Sequence, residues 1–281
     1  MKFALNENTI MQCGLKEFID SCARAGFPAV ELSYKKVEES LALRPKARIK
    51  ELIEDSGVSV LSLNAFEDAL LVPRGNESFL SAEAELIACV AESIDCPAIV
   101  IPSARWPDDF GPLPAKDEII DRYRRCLASI SEVFLKHHIE ALFEPIAYAG
   151  FIVGNVAWTN EMLGTEELKS LRLVPDIHNL FINGDGPMQL SRFTNPIGLF
   201  HIDDTQDSLG TKLHVAKSRT FPGEGVADAA MWIRQAQKAG YQGYFSLELF
   251  DDDIYALEPI EAAKLCWEKL QDFNAATEGA S

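Results

Sequence analysis

Short apolar, β-branched runs alternate with longer segments of helical periodicity along the whole chain. Eight runs read as strands: KFALN (2–6), PAVELSY (28–34), VSVLSLN (58–64), AIVIPS (98–103), EALFEP (140–145), LRLVPD (171–176), IGLFHID (197–203) and YFSLELF (244–250). Between them, LKEFIDSCARAG, SAEAELIACVAESI and DEIIDRYRRCLASISEVFLKHH repeat their apolar residues at steps of three and four, as one helix face does. Gly26, Gly57 and Gly240 follow three of the helical segments and predict C-terminal caps. Strict alternation of strand and helix predicts parallel strands joined by right-handed crossovers. Eight such units close most naturally into a (β/α)8 TIM barrel, an α/β fold. No GxGxxG follows the first strand, which weakens the alternative of an open dinucleotide-binding sheet.

Length supports this reading, since the chain has 281 residues and such a barrel typically takes about 250. No linker or composition break divides it, so one domain over 1–281 is expected, with AATEGAS (275–281) as a flexible tail. A formal net charge of −17 argues against a nucleic-acid backbone or an anionic membrane as partner. The first residues, MKFALNENTI, lack a signal-peptide core, and no run approaches the ~18 apolar residues of a membrane span. Six cysteines without a CxxC pair point to reduced, mostly buried thiols and a cytoplasmic enzyme.

Chemistry in such a barrel belongs at the C-terminal strand ends, because lower interior positions are needed for packing. Those ends read Asn6, Glu31, Asn64, Ser103, Glu144, Asp176, His201 and Glu248. Carboxylates on strands five, six and eight, with a histidine on seven, would meet in one mouth. Like charges held that close repel or take up protons unless a cation joins them. Three hard oxygen donors and one imidazole suit Mn²⁺, Mg²⁺ or Zn²⁺.

Other polar residues have plainer readings. Asp204 and Asp207 suit turns, and the DDD run at 251–253 suits a solvated loop. His137 and His138 fall at a helix end, and His214 falls in a polar surface loop. Glu31 either reaches substrate or pairs with a Lys or Arg in the barrel mouth. Arg105 and Trp106, after strand four, either line the pocket, where an aromatic face suits the C–H face of a sugar ring, or simply pack.

These residues also carry a resemblance. FALNENT, LSLNAF, ALFEP and LVPD, and above all HIDDTQD…SRTFPGEGVAD…YFSLELF from His201 to Phe250, resemble the xylose-isomerase-like sugar isomerase/epimerase superfamily. Within it the chain is most similar to the inosose (keto-inositol) isomerases of inositol catabolism. The resemblance implies one divalent ion on Glu144, Asp176, His201 and Glu248, with Glu144 and Glu248 doubling as the catalytic acid/base pair. It places Arg219, before the PG-x-G turn, at the substrate, and matches Asp203 or Asp204 to the acid after the strand-seven histidine. The family's second histidine, three residues after the strand-six Asp, is replaced here by Asn179, with His178 one position earlier; either one takes the substrate contact. Pro175 before Asp176 departs from a regular buried strand, since it removes a ladder donor. Asn6, Glu31, Asn64 and Trp106 complete the expected substrate-binding set.

The implied reaction is isomerisation or epimerisation of a keto-polyol or keto-sugar, with proton transfer through an enediolate whose charge rests on metal-held oxygens. The same site could serve a lyase, a dehydratase or decarboxylase acting on a keto-sugar or keto-acid. A DNA-nicking relative of the superfamily needs more histidines and a basic groove than this chain has. A non-catalytic sugar-binding relative is a further alternative. Relatives of this kind are often homo-oligomers.

Overall fold

The computed structural model describes residues 1–107, 111–208 and 216–279. Eight strands form one parallel sheet: β1 (Phe3–Asn6), β2 (Ala29–Ser33), β3 (Ser59–Asn64), β4 (Ala98–Pro102), β5 (Glu140–Glu144), β6 (Arg172–Leu173), β7 (Phe200–Ile202) and β8 (Phe245–Leu247). Neighbours run in the order β6-β5-β4-β3-β2-β1-β8-β7. The two ends of that order meet through isolated parallel bridges, Leu173 with Ile197 and Asp176 with His201. The sheet therefore curls round into the barrel that the alternating pattern predicts.

The helices pack outside. They are α1 (Leu15–Ala25), α2 (Tyr34–Leu43), α3 (Lys46–Ser56), α4 (Glu77–Glu92), α5 (Lys116–Lys136), α6 (Val156–Leu163), α7 (Ile177–Ile182), α8 (Ala229–Lys238), α9 (Asp252–Tyr255) and α10 (Pro259–Gly279). Helix α1 shows the logic: Leu15, Phe18, Ile19 and Cys22 form one buried stripe, and each large apolar side chain so buried contributes about 1.5–3 kcal/mol. It stops at Gly26, whose φ of +101° suits glycine and whose N–H bonds back to Cys22 and Ala23. Gly57 and Gly240 follow α3 and α8 with similarly positive φ.

Three details depart from the sequence reading. Strand β6 keeps only Arg172–Leu173 of the expected 171–176, because Pro175 has no N–H to give; its carbonyl instead accepts from the His201 N–H at 2.9 Å. Of the expected tail over 275–281, residues 275–279 continue α10, and 280–281 lie outside the described residues. The DDD run is not a plain loop either: Asp251 caps α9 by accepting from the N–H groups of Asp253 and Ile254. None of the six cysteines is in a disulfide, and all but Cys89 are buried. Among the described residues no helix is long and apolar enough to cross a membrane.

Candidate metal centre

The barrel interior is built in steps of two residues, because alternate side chains of a strand share a face. Ala98, Val100, Leu142, Val174 and Leu199 pack into a small apolar plug inside the barrel. Two residues beyond Leu142, Val174 and Leu199 come Glu144, Asp176 and His201, and Glu248 follows β8 in the same way after Ser246. The apolar residue fills the barrel; its polar successor reaches the mouth.

There the four side chains converge, all buried, with one ligand atom from each lying within 4.8 Å of the others. His201 Nδ1 stands 3.2 Å from Glu144 Oε1, 3.3 Å from Glu248 Oε2 and 3.8 Å from Asp176 Oδ2. Asp176 also caps α7, its Oδ1 accepting from the Asn179 N–H at 2.6 Å, so its other oxygen stays turned to the cluster.

Arg219 closes one side. Its Nη1 donates to Asp176 Oδ2 at 2.6 Å, to Asp203 Oδ2 at 2.7 Å and to Glu248 Oε2 at 3.2 Å. Its Nη2 and Nε donate to the Tyr148 hydroxyl at 3.0 and 3.2 Å. No barrel strand carries this arginine. A two-residue ribbon, Arg219–Thr220 paired antiparallel with Asp204–Thr205, swings it over the mouth. Asp204 anchors that ribbon to the PGEG turn by accepting from the N–H groups of Gly223 and Ala227 at 3.1 and 2.8 Å. A Cβ on Gly225 would lie 2.3 Å from Asp204 Oδ1, so only glycine fits there.

Burial sets the electrostatics. It raises the Glu144 carboxyl to about 7, against the pull of His201. In Glu248 burial acts the same way, but His201 and Arg219 outweigh it and hold the carboxyl at about 2. Burial raises Asp176 despite Arg219, and raises Asp203 well above the carboxylate range, with Asp176 adding to the effect. For His201 burial works against the charged form, and the carboxylates of Glu31, Glu248 and Glu144 outweigh it and raise the pKa. Glu31, Glu144, Asp176, Asp203 and Glu248 thus share one buried arginine and one histidine. The donor set is hard oxygen plus one imidazole, with negative charge in excess. It fits a divalent cation.

Above the cluster opens a cavity of about 250 Å³, below the roughly 300–1,000 Å³ typical of drug-sized ligand sites. Glu144, Glu248 and Arg219 line it with Asn8, Asn64 and Ser103, and Tyr148, Phe151 and Phe250 form its apolar wall. A larger hollow of about 720 Å³ lies at the opposite end of the barrel, beside Arg172 and Tyr241. Its lining holds no carboxylate, histidine or thiol.

The family model described as xylose isomerase-like TIM barrel matches residues 19–270. The chain belongs to that family. An inosose isomerase of Halalkalibacterium halodurans is 22% identical over 272 residues, 94% of this chain and 93% of the relative. An inosose isomerase of Bacillus velezensis is 21% identical over 267 residues, 94% of each. Among solved structures, the IolI protein with a bound zinc atom superposes with a TM-score of 0.88 at 20% identity, over 99% of both chains.

Against this xylose isomerase-like frame, the remaining residues fall into place. Asn64 lines the cavity, and its buried Nδ2 has no hydrogen-bond partner among the described residues. His178 lies buried beside the Tyr148 ring, 5.9 Å between centroids, while Asn179 Oδ1 accepts from the Ala147 N–H at 3.2 Å. Asp203 ties Arg219 to the start of α7, its Oδ1 accepting from the His178 N–H at 2.9 Å. Asn6 and Glu31 are outside the cavity lining, beneath the cluster, with Asn6 Nδ2 donating to Glu31 Oε1 at 3.3 Å. Trp106 is outside the lining as well; the Arg122 guanidinium covers its ring at 5.5 Å.

His137, at the helix end the sequence predicts, stands 2.6 Å from Glu85 and 2.9 Å from Glu92, clipping the end of α5 to α4. His214 lies outside the described residues. Asn8 and Tyr148 escaped the sequence reading. Asn8 Nδ2 donates to Glu248 Oε1 at 3.0 Å across 240 residues of sequence. The only signal for Asn8 is its place two residues past a strand end, and for Tyr148 its place in the loop after β5.

Proposed function

We propose that the protein is a divalent-metal-dependent isomerase or epimerase acting on an unphosphorylated keto-polyol or keto-sugar, of the inosose kind. One observation carries this reading. Two glutamates from different strands, Glu144 and Glu248, flank the same histidine nitrogen at 3.2 and 3.3 Å and both open into one small cavity. Glu144, Asp176, His201 and Glu248 would hold the ion, which, when bound, supplies a Lewis acid that acidifies the C–H beside a substrate carbonyl. The names of the inosose isomerases and the zinc in the IolI structure support the same class.

The chain's own groups then divide the work. One of the two glutamates, ionised, removes the proton beside the carbonyl, and the other, starting protonated, delivers its own proton to the neighbouring carbon or the opposite face. Asn8 steadies Glu248 through its Oε1. The Asn64 Nδ2, without a hydrogen-bond partner among the described residues, offers a donor to a substrate hydroxyl. Arg219 and Tyr148 hold the oxygen-rich edge of the ring, and Phe151 and Phe250 keep water from its C–H face.

The test is solvent exchange. With Mn²⁺, Mg²⁺ or Zn²⁺ present, a keto-inositol or ketose incubated in D₂O should gain deuterium beside the carbonyl with no loss of mass. Glu144→Gln and Glu248→Gln should each slow that exchange by about 10²–10⁴-fold. Release of water or CO₂ instead would make the enzyme a lyase, and no exchange with any keto-polyol or ketose would overturn the proposal.

A further inference from the structure

Beneath the cluster lies a second polar layer outside the cavity lining. Asn6, Glu31 and Ser62 occupy adjacent positions across β1, β2 and β3, with Asn6 paired to Glu31 and Glu31 to Ser62. The β2–β3 register shifts between Val30 and Glu31, where Leu61 is skipped, and that irregularity is what sets Ser62 beside Glu31. Glu31 is wholly buried, and its only ion-pair partner among the described residues is His201. Its Oε1 and Oε2 lie 3.1 and 3.3 Å from His201 Nε2. Asn6 Nδ2 donates to Oε1 at 3.3 Å, and the Ser62 hydroxyl donates to Oε2 at 2.7 Å. Both carboxylate oxygens are therefore held in place, and both are turned to the same nitrogen.

A buried carboxylate without a lysine or arginine is costly to keep, and a barrel interior has cheaper ways to fill its space. The geometry points to a reason. We propose that Glu31 is the positioning residue of the metal centre: it accepts the Nε2–H of His201 and so presents the Nδ1 lone pair to the ion. In a neutral imidazole one nitrogen donates and the other accepts, so an acceptor at Nε2 decides which is which. Nδ1 is the nitrogen facing Glu144, Asp176 and Glu248. Glu31 acts through His201 and Ser62 through Glu31, while Asn6 both supports Glu31 and accepts the Asn8 N–H at its Oδ1, 2.9 Å away.

This assignment rests on the metal-centre reading above. The experiment measures Zn²⁺ affinity by competition with a chromophoric chelator, together with the visible spectrum of the Co²⁺-loaded protein, in four chains: wild type, Glu31→Gln, His201→Ala and the double variant. Circular dichroism without metal checks that each is folded. Glu31→Gln should bind Zn²⁺ about 10–100-fold more weakly and shift the Co²⁺ bands. In the His201→Ala background the same change should cost nothing further, which a merely structural role for Glu31 would not produce. Unchanged affinity in Glu31→Gln, or an equal further loss in the double variant, overturns the assignment and leaves the metal centre standing. A wild-type chain that binds neither Zn²⁺ nor Co²⁺ overturns both. Should Glu31→Gln fail to fold, Ser62→Ala carries the test: a smaller loss in the same direction supports the assignment, and none overturns it.

Discussion

Arg219 holds three carboxylates with one nitrogen, and it is itself fully enclosed. The arrangement makes the residue structural as well as chemical. Removing the guanidinium leaves Asp176, Asp203 and Glu248 crowded without their countercharge. Arg219→Ala should therefore cost about 3–5 kcal/mol in metal-free chemical denaturation, the range for breaking a buried ion pair. A loss near zero would mean that the acids shed their charge at no cost. At this scale the sequence is most informative where the chain runs straight. Glu144, Asp176 and His201 sit two residues past apolar strand positions, and counting by twos along one strand finds them. Asn8 is not found that way, and Glu31, though legible as a strand end, shows no sign there of its partner. What each touches is fixed by a neighbour 240 or 170 residues away, and no local pattern encodes that.

The elements show the same divide. Helix periodicity places α1, α4 and α5 to within a few residues, and glycine follows α1, α3 and α8 as expected. The residue at which each strand's ladder stops is less legible, because hydrogen bonding rather than side-chain character ends a strand; β6 keeps only two residues ahead of Pro175. The HIDDT and PGEG segments are readable as a motif, but their purpose is not. Asp204 belongs to the PGEG turn and Asp203 to Arg219, which only the folded ribbon reveals. The link between α4 and α5 yields a pH prediction. The hydrogen bonds that His137 donates to the Glu85 and Glu92 carboxylates raise its pKa above the ordinary value. A raised folded-state pKa contributes stability at pH below the unfolded value, about 6.5 for histidine, and loses it as pH rises through the folded one. The melting-temperature gap between wild type and His137→Ala should thus be widest in acid and shrink through neutral to alkaline pH. A gap that grows with pH would contradict the clip.

For the molecule as a whole, the barrel gathers a surplus of buried negative charge at one end of a chain that already carries a net −17. Any cation that binds the folded mouth and not the open chain must stabilise the fold by mass action. Mn²⁺ or Zn²⁺ at about a hundred times its Kd should add about 2.7 kcal/mol to unfolding, and a chelator should reverse the gain. Denaturation curves with and without the ion measure it directly; overlapping curves would speak against the site. The apolar plug of Ala98, Val100, Leu142, Val174 and Leu199 sits inside the barrel with the cluster two residues further along the strands. Packing and chemistry thus share the same strands.

The sequence by itself determined the fold class, the order of strands and helices, and which side chains stand at the strand ends, because hydrophobic periodicity is a local property that each segment carries alone. Only the tertiary structure decided that Glu31 lies under His201 instead of at the cavity, that Asn8 and Tyr148 join the site, and that Arg219 reaches in from a ribbon. Those outcomes depend on strand register and on closure of the β6–β7 seam, which are set by many distant contacts at once. No single stretch of chain contains them.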